Sequence, residues 1–175
     1  MTMGRGSSKA GGGGMVVKTY ALFHGSPNAN IDAFDIEKAG TNTSTGEKFL
    51  FFTDSQEMAD EFSYERIANP KTMFLDIRGQ KGRVYEVDVT MKHPLDFTDL
   101  SKKDIENIKK MKYDYSNMTD SLIQTYSQHN NQMFKTEIDL TQLTKYGYDG
   151  FIAKMNKKGD KEYAVVSNDQ VKIRK

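Results

Sequence analysis

The sequence predicts a single domain of the α+β class. Three observations carry that expectation: short β-branched and aromatic runs recur along the chain, segments of helical period stand between some of them, and no internal repeat is present. A doubly wound plan would need strands and helices in regular alternation, which the order of segments does not supply. At 175 residues the chain matches one ordinary domain and can close a hydrophobic core without disulfides or a structural metal.

Residues 1–14, MTMGRGSSKAGGGG, are Gly/Ser-rich and bury too little apolar surface to offset their ordering entropy, so the domain is expected over 15–175. Met15 offers an alternative start. VVKTYALF (16–23) is a β-branched and aromatic run that stops at the turn-forming HGSPN, and it reads as a strand. AGTNTSTGEK (39–48) is a loop by composition, and FLFFT (49–53) a short aromatic strand. A helix is expected over DSQEMADEFSYERIA (54–68), capped by Asp54 with Glu57 in capping-box position. Its apolar face would hold Met58, Phe62 and Ile67, and it would end before Pro70. RVYEVDVTM (83–91) alternates with period two, the pattern of a half-buried strand, before Pro94. SKKDIENIKKMK (101–112) reads as a helix with Ile105, Ile108 and Met111 or Lys112 on one side, and a second helix is expected over 116–128. The chain then returns to strand at GFIAKM, EYAVVS and VKIRK, separated by turns at NKKGDK and NDQ.

Lys plus Arg (25) nearly balance Asp plus Glu (24), so net charge demands neither a nucleic-acid nor an anionic-membrane partner. The absence of cysteine removes thiolate zinc sites and thiol nucleophiles and fits a reducing cytosol. No apolar run approaches the roughly 20 residues of a membrane span, and the N-terminus lacks the apolar stretch of a signal peptide.

Taken singly, the candidate site residues have plain structural explanations. His24 past a strand end reads as a solvated or structurally bonded residue, FLFFT as core, and Glu162 as an edge-strand charge. Together and in order they say more. FHGSP (23–27), FLFFTDSQEMADEF (49–62) and KEYAVVSNDQVKI (161–173) resemble the three signature segments of the diphtheria-toxin and poly(ADP-ribose) polymerase branch of the ADP-ribosyltransferases, which uses a His-Tyr-Glu triad. GYDGFIAK (147–154) resembles the segment that precedes the glutamate strand in small bacterial and phage-borne members.

The resemblance implies a split mixed β-sheet with flanking helices, interrupted by a helical insertion at 96–136 that matches no signature. It implies NAD as co-substrate and requires no metal. Gly25 would meet both ends of the nicotinamide carboxamide, because no Cβ obstructs close approach. His24 would bond the adenosine ribose hydroxyl, and Ser26 the carboxamide oxygen. Phe51 stands where the triad has tyrosine, keeping the π-face and losing the hydroxyl; Phe62 takes the second stacking position against the cationic ring. Glu162 would supply the negative charge that an oxocarbenium-like transition state needs. Asp160 stands where relatives of the Arg-Ser-Glu branch place a residue that selects the acceptor.

The implied activity is mono-ADP-ribosyl transfer to a macromolecular acceptor, protein rather than nucleic acid, by a toxin, effector or anti-defence enzyme in the cytoplasm of a host or target cell. Two alternatives share the scaffold: an NAD glycohydrolase with water as acceptor, and a partner-binding module without catalysis. Phe51 in place of tyrosine fits the last; His24, Gly25 and Glu162 argue against it. Lys102, Lys103, Lys109, Lys110 and Lys112 make the insertion locally basic, as an acceptor-binding face or a solvated helix surface would be.

Overall fold

The computed structural model describes residues 16–39 and 48–175; the expected 1–14 tail and most of the expected 39–48 loop lie outside the described residues. The strands are β1 (Lys18–Ser26), β2 (Leu50–Thr53), β3 (Tyr64–Ile67), β4 (Ile77–Lys81), β5 (Arg83–Met91), β6 (Leu95–Asp96), β7 (Gly150–Lys154), β8 (Lys161–Val165) and β9 (Val171–Ile173). The α-helices are α1 (Gln56–Phe62), α2 (Lys102–Met111), α3 (Asp120–His129) and α4 (Asn131–Glu137). A seven-stranded sheet runs in the order β6-β7-β8-β2-β1-β5-β9, and β3 and β4 form a separate hairpin. Among the described residues only β6 and β7 pair in parallel; the other neighbours are antiparallel. The architecture is α+β with a mixed sheet, as the sequence predicts.

The period-two pattern of β5 buries Tyr85, Val87, Val89 and Met91 on one face of the sheet. That face joins Leu22, Phe52, Ile152 and Tyr163 and is covered by Ile31, Phe34 and Ile36 from the segment after β1. The opposite face carries Phe49, Phe151, Ala153 and Ala164 and is covered by helices. Ile105, Ile108 and Met111 of α2 pack there with Ile123 and Phe134. Among the described residues, the 96–136 segment therefore supplies eight of the seventeen buried residues in the core on this side of the sheet, which its polar composition conceals. Ser101 caps α2 in a reciprocal box with Asp104, whose other oxygen accepts from the Tyr148 hydroxyl at 2.6 Å. This pair ties α2 to the approach of β7. The second expected helix begins later than 116, at Asp120, where Thr119 caps it.

The helix expected over 54–68 is corrected in two ways. Ser55, not Asp54, is its cap, accepting from the Met58 N–H at 3.3 Å; the Asp54 carboxylate instead accepts from the Lys161 N–H at 2.8 Å and ties the end of β2 to β8. The helix also stops at Phe62, where the Ser63 hydroxyl bonds the Asp60 carbonyl at 2.6 Å and β3 begins. The cause is tertiary: Arg78 and Lys81 of β4 pair with Glu61 and Asp60, and both lie over the Tyr64 ring. Phe62 and Ile67, assigned to a buried helix face, are exposed; Ala59 is the buried residue of α1.

Candidate active site

Strand register places Phe23, Thr53, Glu162 and Ala153 in one row across β1, β2, β8 and β7. Side chains alternate along each strand, so Glu162 and Phe51 share the helix-covered face with Ala153 and Phe151. His24 lies on the other face, with Leu22, Phe52 and Tyr85.

Among the described residues, β1 and β2 are bridged at Phe23 and Thr53, and beyond that pair the strands part. The His24 side chain spans the gap. Its Nδ1 lies 2.7 Å from the Phe51 carbonyl oxygen, which can only accept, so Nδ1 carries the proton and Nε2 keeps a lone pair. Burial against Phe34 and Phe52 pushes the imidazole below its ordinary pKa, opposed by the bond to Phe51, so the neutral ring is favoured.

Gly25 faces α1. A Cβ at this position would fall 1.7 Å from the Ala59 carbonyl oxygen and 2.8 Å from the Ser63 nitrogen, so glycine is required for the helix to lie against β1. Phe62, beside Ser63, is 47% exposed at this end of α1. The Ser26 hydroxyl accepts from the Asn28 N–H at 3.1 Å and shapes the turn after β1. Asp160 lies in the turn between β7 and β8, where its carboxylate accepts from the Asn156 amide at 2.7 Å.

Glu162 is buried, and two side chains of α4 reach it. Gln132 donates to Oε1 at 3.2 Å, and the Lys135 ammonium forms an ion pair with the same oxygen. Lys135 Nζ also lies 5.4 Å from the centroid of the Phe151 ring. Among the described residues both contacts fall on Oε1, and Oε2 remains as an acceptor. Beyond Gln132 opens a cavity of about 440 Å³ whose lining includes Asn131, Gln132, Lys154 and Asn156.

The structure thus brings Phe51 and Glu162 to one face, sets Gly25 and Phe62 around α1, and links His24 to Phe51 through a backbone carbonyl. Sequence reasoning missed Gln132 and Lys135. Nothing local in NQMFKTE marks them, because their importance depends on where β8 places Glu162.

A carboxylate, aromatic rings and a neutral histidine distributed over these strands fit the three-segment pattern of the sequence. A family model described as ADP-ribosyltransferase in polyvalent proteins matches residues 18–174. The chain belongs to this ADP-ribosyltransferase family. No curated protein and no solved structure matched the chain. The matched span runs from the first residue of β1 to just past β9, so the whole sheet and the helical segment at 96–136 lie within the ADP-ribosyltransferase domain. The family uses NAD as substrate, and the groups present suit it: a carboxylate oxygen that can accept from a ribose hydroxyl and aromatic faces for a cationic ring.

Proposed function

We propose that this ADP-ribosyltransferase is of the His-Tyr-Glu branch, cleaves NAD at the nicotinamide–ribose bond, and transfers ADP-ribose once to a macromolecular acceptor, protein rather than nucleic acid. The observation that carries the reading is Glu162, a carboxylate held by two donors on one oxygen beside the aromatic Phe51 and Phe151. Oε2 accepts a hydrogen bond from the ribose 2′-OH, and the carboxylate charge stabilises the oxocarbenium-like cation as nicotinamide departs. Phe51 and Phe62 stack against the nicotinamide ring. The Gly25 backbone holds the carboxamide with Ser26, and the His24 Nε2 lone pair accepts from the adenosine ribose hydroxyl. Phe51 in place of tyrosine leaves stacking available and removes only a hydroxyl. Asp160, at the turn preceding Glu162, contributes to acceptor choice. By likeness to small bacterial and phage-borne members, the biological setting is that of a toxin, effector or anti-defence enzyme in the cytoplasm of its target cell.

The test is incubation with adenylate-labelled NAD and a bacterial lysate. Label on protein is the expected result. Free labelled ADP-ribose alone would instead make the chain an NAD glycohydrolase, and intact NAD would leave a partner-binding module.

A further inference from the structure

Lys135 and Gln132 sit three residues apart on α4, the spacing that puts two side chains on the same face of a helix. Both reach the same oxygen of Glu162. The ion pair is largely shielded from solvent, with Lys135 and Glu162 side chains 13% and 10% exposed. A buried pair of this kind is a poor stabiliser, because desolvating two charges offsets most of their attraction and an apolar pair of similar volume does as well. Its value lies in geometry: two donors on Oε1 fix the rotation of the carboxylate about its last bond and so fix where Oε2 points. The base of α4 is rigid enough to impose this. Phe134, beside Lys135, is fully buried and stacks on Tyr115 with centroids 5.4 Å apart; the Asn131 amide donates to the Phe97 and Ser127 carbonyls, and its oxygen accepts from the Lys154 N–H at 2.6 Å. Gln132 completes the frame by also donating to the Lys154 carbonyl on β7.

We propose that Lys135, with Gln132, is a positioning residue that clamps Oε1 of Glu162 and presents Oε2 to the ribose hydroxyl. Part of the 96–136 segment thereby belongs to the NAD-cleaving machinery. The proposal rests on the reading of Glu162 as the catalytic carboxylate.

The experiment measures nicotinamide release from NAD by the wild type, K135M, K135R, E162Q and the double variant E162Q/K135M, with thermal melts of each. K135M is expected to lower kcat about 30-fold while KM for NAD changes less than about threefold. K135R, which keeps the charge and the donors, is expected to recover to within about fivefold of wild type. In the E162Q background K135M should cost less than about twofold more, since a residue acting through Glu162 has nothing left to position. Where K135M melts below the assay temperature, K135Q is read against the same limits. A kcat equal to or above wild type in the Lys135 variant, or an equal further loss in the E162Q background, would overturn the proposal. Wild-type turnover by E162Q would instead overturn the assignment of Glu162 itself.

Discussion

Phe51 stands between packing, which the structure shows, and the NAD binding proposed for it. Its ring lies 6.0 Å from Phe49 and 6.2 Å from Phe151 by centroids, yet it is only partly buried. Phe51→Ala should cost about 2 kcal/mol of stability, less than the range for a fully buried phenylalanine, because the residue is only partly buried against the core. It should also weaken NAD binding about tenfold by removing the stacking face, whereas Phe51→Tyr should bind within about threefold of wild type. Calorimetric titration of the three proteins checks this, and global unfolding of the alanine variant would make Phe51 a core residue only. His24 gives a pH prediction. Its folded pKa is lowered by burial, so below the ordinary histidine value near 6.5 the unfolded chain binds more protons than the folded one. The stability tied to the neutral ring is complete above that pH and is lost as pH falls through the lowered folded value. Melting temperature measured down from pH 7 should therefore fall faster for the wild type than for His24→Gln, and parallel curves would contradict the assignment.

Whether an element was legible in the sequence followed from where its information lies. β5 was read to the residue because strict alternation over RVYEVDVTM is a local signal, and α2 because Ser101 and three apolar residues mark its start and face. The α1–β3 junction is not legible because Ile67, five residues after Phe62, can be taken as a continuation of the helix face of Met58 and Phe62, while the pairing that ends the helix comes from Arg78 and Lys81 across the hairpin. β4 and the two-residue β6 went unread, since IRGQK lacks an apolar face and β6 is defined only by its partner β7. α4 went unread for a related reason: within NQMFKTE, Phe134 is the one large buried anchor. That anchor makes α4 testable. Phe134→Ala should cost about 3–5 kcal/mol in urea denaturation, the range for emptying a fully buried phenylalanine site. It should also lower NAD turnover at temperatures where the variant stays folded, because Gln132 and Lys135 lose their support. A large stability loss with unchanged turnover would separate α4 from the site.

At the scale of the whole molecule, the site is assembled by sheet order rather than by proximity in sequence. Three segments from opposite ends of the chain become neighbours because β8 pairs with β2 and β2 meets β1. The three motifs are legible only in combination and in order, since each taken singly has a plain structural explanation; their spatial relation is not legible in the sequence. In particular, strand alternation puts His24 and Glu162 on opposite faces of the sheet, joined through Phe51. The basic insertion also looks different once folded: Lys103, Lys109 and Lys112 pair with Glu106, Asp120 and Asp114, which offsets much of the local positive charge. In the proposed mechanism the assembly presents to NAD one carboxylate, Glu162, whose charge matches the developing ribose cation. The most direct test of that claim is single-turnover NAD cleavage by Glu162→Gln, with NAD affinity measured separately and folding checked by a thermal melt. Cleavage about a hundredfold slower, at an affinity within about threefold of wild type, is the predicted result; wild-type cleavage by the folded variant would contradict it.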